Sequence, residues 1–157
     1  MKKPFFIIAA ILLFSIQKIS AQGNSVKISN TSAFFIQQQA DSIKTIYENK
    51  GFVLLKEAPL KMESQYEMPV IVPLNEGTFY EFVFIGEYTS KLYEVRMYDW
   101  DEKMVVYLKK QWGDVDGNII DYSYIPKKSE MHMIKPIQVN KKKKILDGYV
   151  MLFKKVK

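Results

Sequence analysis

Four aspartates stand beside turns and tryptophans in this chain: Asp99 and Asp101 in YDWDEK, Asp114 and Asp116 in WGDVDGN. Acidic oxygens at alternate positions followed by a glycine are what a calcium loop uses. A hard cation takes six to eight oxygen ligands, and glycine admits the sharp bend between them. The EF-hand pattern also asks for a third oxygen ligand before the glycine and a closing glutamate. Here Gly117 follows Asp116 directly, the glutamate is missing, and no helical pattern flanks the run. The full motif fails, and Asp116-Gly117 reads as the turn of a hairpin. What remains is a partial calcium site, formed if Asp99, Asp101, Asp114 and Asp116 meet at one end of the fold.

Other chemistry is scarce. Paired carboxylates cleave glycosides when held about 5–10 Å apart across a sugar-sized cleft, and acids clustered at turn tips seldom provide one. The single histidine, His132 in EMHMIK, cannot build a multi-histidine metal site. No G-x-S-x-G elbow supplies a serine for it to activate. As Met131, His132, Met133 and Ile134 alternate, His132 reads as a structural strand residue sharing a face with Ile134. The absence of cysteine removes thiolate nucleophiles, thiolate metal sites and disulfides together. The chain is therefore expected not to be an enzyme. Aromatics supply the alternative: Trp100 and Trp112, both at turns, are the expected partly exposed anchors for a protein or glycan partner.

The elements that must position these residues follow from pattern. Ile36, Ala40, Ile43 and Tyr47 fall at i, i+4, i+7 and i+11, which predicts an amphipathic helix over 32–50, stopped by NKG at Gly51. Everything after it reads as β, with turn signals at intervals of roughly ten residues. FVLLKE (52–57) is a strand and APLKMESQ a polar link. YEMPVIVPL, with two prolines, suits an edge. TFYEFVFIG (78–86) is nearly continuous in aromatic and β-branched residues and belongs mid-sheet. LYEVRMYDW (92–100) alternates, with Tyr93, Val95 and Met97 on one face and Glu94 and Arg96 on the other. MVVYLKK, NIIDYSYI, MHMIKPIQV and GYVMLFKKV complete about eight strands. The expected fold is mainly β: one antiparallel sandwich over 52–156 with the helix against a sheet face or closing one end.

The first twenty-one residues read as an export signal. Lys2 and Lys3 precede the apolar PFFIIAAILLFSI, and Ala21 offers a small residue for cleavage. Residues 22–30 are polar and read as a flexible leader. With no cysteine behind the apolar stretch, a lipoprotein anchor is chemically impossible, and no later segment is long and apolar enough to span a bilayer. The expected location is the periplasm or the extracellular space, in soluble form. The whole chain has 23 Lys and Arg against 17 Asp and Glu. Losing Lys2, Lys3 and Lys18 with the signal leaves 20 against 17, a net +3. So mild an excess, on an exported chain, argues against nucleic acid as a partner. The run Lys141–Lys144 reads as a solvated hairpin tip.

Several stretches resemble bacterial prepeptidase C-terminal β-sandwich domains. In LNEGTFYEFVFIG a turn glycine precedes an aromatic-rich strand. LYEVRMYDWDEKMVVY is similar to that family's strand ending in Asp, short turn and return strand. DYSYIP, MHMIKPIQV and GYVMLFKK resemble its closing strands, with Gly148-Tyr149 where a Gly-Tyr pair is frequent. The resemblance covers about Pro73 to Lys154. It implies a jelly-roll-like, non-catalytic domain of extracellular or periplasmic proteins that assists binding or secretion, some members holding calcium through acidic residues. This chain departs from it in having no attached peptidase and in adding the helix over 32–50. The SAQ ending of the signal and the Lys/Ile/Tyr-rich composition also resemble small exported proteins of Bacteroidota. Three functions follow in order: a non-enzymatic binding or envelope-accessory sandwich, a calcium-stabilised carbohydrate-binding or secretion-associated domain, and a small carboxylate-dependent hydrolase.

Overall fold

The computed structural model describes residues 31–156. The expected signal and leader lie outside the described residues. The first element is a helix, α1 (Thr31–Asn49), followed by eight strands: β1 (Phe52–Glu63), β2 (Val70–Leu74), β3 (Tyr80–Gly86), β4 (Leu92–Tyr98), β5 (Met104–Gln111), β6 (Ile119–Tyr124), β7 (Glu130–Val139) and β8 (Ile145–Lys155). They form two four-stranded sheets, sheet A in the order β1-β8-β3-β6 and sheet B in the order β2-β7-β4-β5. All pairings are antiparallel, β1 with β8, β2 with β7, β3 with β6 and β4 with β5. Such nesting is one long hairpin rolled into two sheets, which is the jelly-roll arrangement the sequence led us to expect.

Alternation along the strands fixes what each face meets. Tyr93, Val95 and Met97 of β4 point between the sheets, where they join Phe82, Phe84, Ile120, Ile134, Val150 and Leu152 in the main core. The opposite face of sheet A is apolar as well, and α1 covers it. Ile36, Ala40 and Tyr47 pack there on Val83, Ile85, Tyr149, Met151 and Phe153. Residues of β3 are therefore buried along its whole length, which explains its nearly uninterrupted hydrophobic run. The predicted helical stripe is the packed one, with Ile43 only partly buried beside it.

Polar contacts fix the helix along the sheet. The Tyr47 hydroxyl donates to Glu81 at 2.9 Å and lies 3.2 Å from Asp121, while Ser123 donates to the other Glu81 oxygen at 2.6 Å. Midway along the helix the side-chain amides of Gln39 and Asn118 exchange two hydrogen bonds of 3.0 and 2.9 Å. Burial and the Glu81 carboxylate hold the Tyr47 phenol well above its ordinary pKa.

Three expectations need correction. APLKMESQ is mostly strand rather than link, because β1 runs on to Glu63 along β8. A register shift between Leu54 and Lys56 moves the inward set from one face to the other: Phe52 and Leu54 face α1, whereas Ala58, Leu60 and Met62 face the main core. WGDVDGN is not a hairpin tip, since β5 belongs to sheet B and β6 to sheet A. It is the crossing between sheets and contains one π-helical turn, Trp112–Asp116. The lysine run is not simply solvated, because Lys143 reaches the buried carboxylate of Glu87 at 2.8 Å.

Candidate functional site

The acidic residues that suggested calcium are held at opposite ends of β5. Asp99 closes the β4–β5 hairpin by accepting from the Lys103 amide at 2.9 Å, and the neighbouring Asp101 pairs with Lys128 at 3.6 Å. Asp114 and Asp116 lie beyond the other end, where Asp116 accepts from the Gln111 amide at 2.8 Å. Eight extended residues separate the clusters by about 25 Å, an order of magnitude beyond a calcium–oxygen bond. The four aspartates do not form one site, and the described residues contain no group of three or more His, Cys, Asp or Glu side chains placed to hold a metal ion.

Trp100 and Trp112 are both exposed, at 69 % and 49 %, but the same strand keeps them apart, so they are not one platform. Trp112 sits at positive φ in the crossing, with the Lys91 ammonium 5.0 Å from its ring centre. Trp100 belongs to a larger surface. Sheet A has its outer face under α1, whereas no helix of the described residues lies on the outer face of sheet B.

Register shows what that open face presents. Ile71 of β2 stands opposite Met133 of β7, Met133 opposite Tyr98 of β4, and Tyr98 opposite Met104 of β5. These four side chains make an apolar row across the whole sheet. Trp100 and Met131 extend it at the hairpin end, and a cleft of about 500 Å³ is lined by Ile71, Tyr98, Trp100, Met131 and Met133 together with Lys135, Asp99, Glu102 and His132. One step along the strands, Lys135 stands opposite Arg96 and Arg96 opposite Tyr107. Glu67 pairs with Lys135 at 2.8 Å and with Arg96 at 3.2 Å, and Glu94 pairs with Arg96 at 2.7 Å. Hydrogen bonding to Glu94 raises the pKa of Arg96, and hydrogen bonding to Glu67 does the same for Lys135. The two cations are thus held charged and in fixed places, with Lys135 also 5.1 Å from the Tyr98 ring centre.

His132 turns the other way, as its strand parity requires. It is buried with Ile134 and lies 3.3 Å from the Tyr124 hydroxyl through Nε2. The methionines of this surface are not among the residues expected from sequence. Met104, Met131 and Met133 occupy outward positions of alternating strands, a signal present in MHMIK once His132 and Ile134 are assigned inward.

No family model matches the chain, and no curated protein matches it. Among solved structures it is similar to a chain of the Glycosylation Associate Protein (Gap123) complex from Streptococcus agalactiae. The identity is 16 %, the TM-score 0.33, and the match covers 68 % of this chain and 40 % of that one.

Proposed function

We propose that the chain is a non-enzymatic binding module, an exported or envelope-accessory jelly roll, whose partner is a protein docking on the outer face of sheet B with Trp100 as anchor. One observation carries this reading: the row Ile71–Met133–Tyr98–Met104 runs uncovered across all four strands of sheet B, while the corresponding face of sheet A is packed under α1. An apolar centre with a charged rim is the usual anatomy of a protein interface. Flexible methionines let such a surface adapt to the partner's shape. Export rests on the expected signal in the first twenty-one residues, and an accessory role agrees with the resemblance to prepeptidase C-terminal sandwiches.

A second reading, a glycan partner, is favoured by the exposure of Trp100 beside the hydrogen-bonding groups of Lys135 and Glu67. The two separate in one experiment. Immobilised wild type, Trp100→Ala, Met133→Lys and Trp112→Ala chains are incubated with native envelope extract before and after protease digestion. The protein reading expects one band retained by wild type and Trp112→Ala, absent with Trp100→Ala and Met133→Lys, and lost on digestion. Retention that survives digestion points to glycan, and retention equal in all four chains refutes this surface.

A further inference from the structure

Among the described residues the two sheets have four edge strands, β1 and β6 in sheet A, β2 and β5 in sheet B. Proteins blunt such edges with prolines, bulges and charges, because an unpaired row of amides and carbonyls is a template for another strand. β1 carries Pro59 and the shift at Leu54/Lys56, and β2 carries Pro73. β5 carries an irregularity opposite Met97 and Tyr98, with Lys109 and Lys110 beside each other. β6 is the least blunted. It pairs regularly with β3 from Ile119 to Tyr124, contains neither proline nor bulge, and carries a single charge, Asp121.

Ladder alternation tells which of its groups are free. The Gly86 amide donates to the Asn118 carbonyl at 2.9 Å, so the backbone groups of Ile119, Asp121 and Ser123 turn away from β3. Lys110 occupies the Ile119 carbonyl at 2.6 Å, leaving the stretch around Asp121 and Ser123 as the open part. An apolar wall adjoins it at the Ile119 end. Phe35, Ile43 and Ile46 form the flank of α1 on this side, and with Tyr88 and Ile119, at the start of β6, they line a groove of about 850 Å³. It continues as a hollow of about 190 Å³ bordered by Ile46, Tyr47, Lys50 and Asp121. Phe35 is 56 % exposed and Ile46 49 %.

We propose that the β6 edge and the α1 flank take up an extended segment of a partner protein as a fifth strand of sheet A. Its helix-facing side chains are apolar opposite Ile119 and basic opposite Asp121, at i and i+2. Ile119, Asp121 and Ser123 place their side chains on the face that α1 covers, so the alternate residues of an added strand enter the groove. The central basic residue is set by charge. Asp121 stands in the middle of β6, and Glu81 shares the Tyr47 hydroxyl with it, two carboxylates beside the Lys50 ammonium that borders the hollow, so an opposite charge across the new pair is favoured. A second copy of this chain, paired antiparallel about Asp121, sets the two Asp121 carboxylates against each other. Charge therefore selects a foreign segment. This surface lies on the far side of the sandwich from the sheet B face and is independent of it.

Amide exchange in the full chain tests this with two probe peptides, Thr-Ile-Thr-Lys-Thr-Ile-Thr and the same peptide with Glu for Lys. The lysine peptide should slow the Asp121 and Ser123 amides about tenfold or more and the glutamate peptide should not. Asp121→Lys should invert that preference. Ile46→Glu, a change at an exposed position, should lose the effect while leaving the melting midpoint in place, which covers the case in which Asp121→Lys does not fold. No slowing at millimolar peptide, or equal slowing by both, overturns the proposal. So does finding Asp121 and Ser123 already as protected as Ile120 in the free chain. That result means the edge is occupied by the chain's own leader if the protein sediments as a monomer, or by a second copy if it sediments as a dimer.

Discussion

The ammonium of Lys143 lies 2.8 Å from the carboxylate of Glu87, whose side chain is 2 % exposed. That pair pulls the lysine turn down onto one end of the sandwich. The same carboxylate accepts from the Asp147 amide at 2.9 Å, and the Gln138 side-chain oxygen accepts from the Glu87 amide at 3.0 Å and from Ser90 at 3.1 Å. The Gln138 side-chain nitrogen donates back to the Asp147 carbonyl at 2.8 Å. One end of the jelly roll is thus closed by a polar network in which the described residues leave no buried side-chain N or O without a partner.

Removing its centre should be costly. Glu87→Ala strands the buried Asp147 amide, while the half-exposed Lys143 ammonium returns to water, and the expected loss is about 1–3 kcal/mol, read as a lower urea midpoint with unchanged slope. Glu87→Gln keeps an acceptor for the Asp147 amide and should lose less.

Alkaline pH should unfold the protein through its buried phenols. Burial pushes Tyr47, Tyr93 and Tyr122 above the ordinary value near 10, helped by Glu81 beside Tyr47 and Glu87 beside Tyr93. Below pH 10 both folded and unfolded chains keep these protons, and stability is whole. Above it the unfolded chain releases protons that the folded chain retains. Stability then falls by up to about 1.4 kcal/mol per pH unit for each such tyrosine. Melting midpoints between pH 9 and 11.5 should decline steeply, and less steeply in Tyr122→Phe.

The crossing WGDVDGN makes a sharper comparison. A Cβ at Gly113 would lie 2.3 Å from the Tyr88 carbonyl oxygen and 2.4 Å from the Tyr93 hydroxyl. At Gly117 a Cβ meets nothing within 4 Å, and the obstacle is a φ of 79° alone. Gly117→Ala should cost about 1 kcal/mol. Gly113→Ala should cost more, about 2–4 kcal/mol, because backbone must move. Thermal melts of the two variants decide the order.

These positions also show what sequence could and could not tell. The α1 stripe, the inward set Tyr93–Val95–Met97 and the central place of β3 were legible, because each depends on a periodicity along one segment. The end network was not. Glu87, Gln138, Lys143 and Asp147 are scattered over sixty residues, and only the rolled topology brings them together. The same holds for Asp99 and Asp116. Local spacing made them look like parts of one site, while the length of β5 sets them at opposite ends. Asp-Gly is a turn signal in both a hairpin and a crossing between sheets, and which it is depends on where the next strand pairs.

Calcium should therefore do nothing to the fold. A ligand bound only by the folded state raises the midpoint, so melts in millimolar calcium and in chelator should coincide. A shift of several degrees would restore a cation site.

The most direct test of the binding surface is photo-crosslinking in the native envelope, with a photoreactive phenylalanine at Met131, beside Trp100, and a second chain carrying it at the exposed Val53 of β1. A discrete adduct is expected from position 131, absent when Trp100→Ala is added, and none from position 53. No adduct from 131, or the same adduct from both positions, would contradict the proposed binding surface.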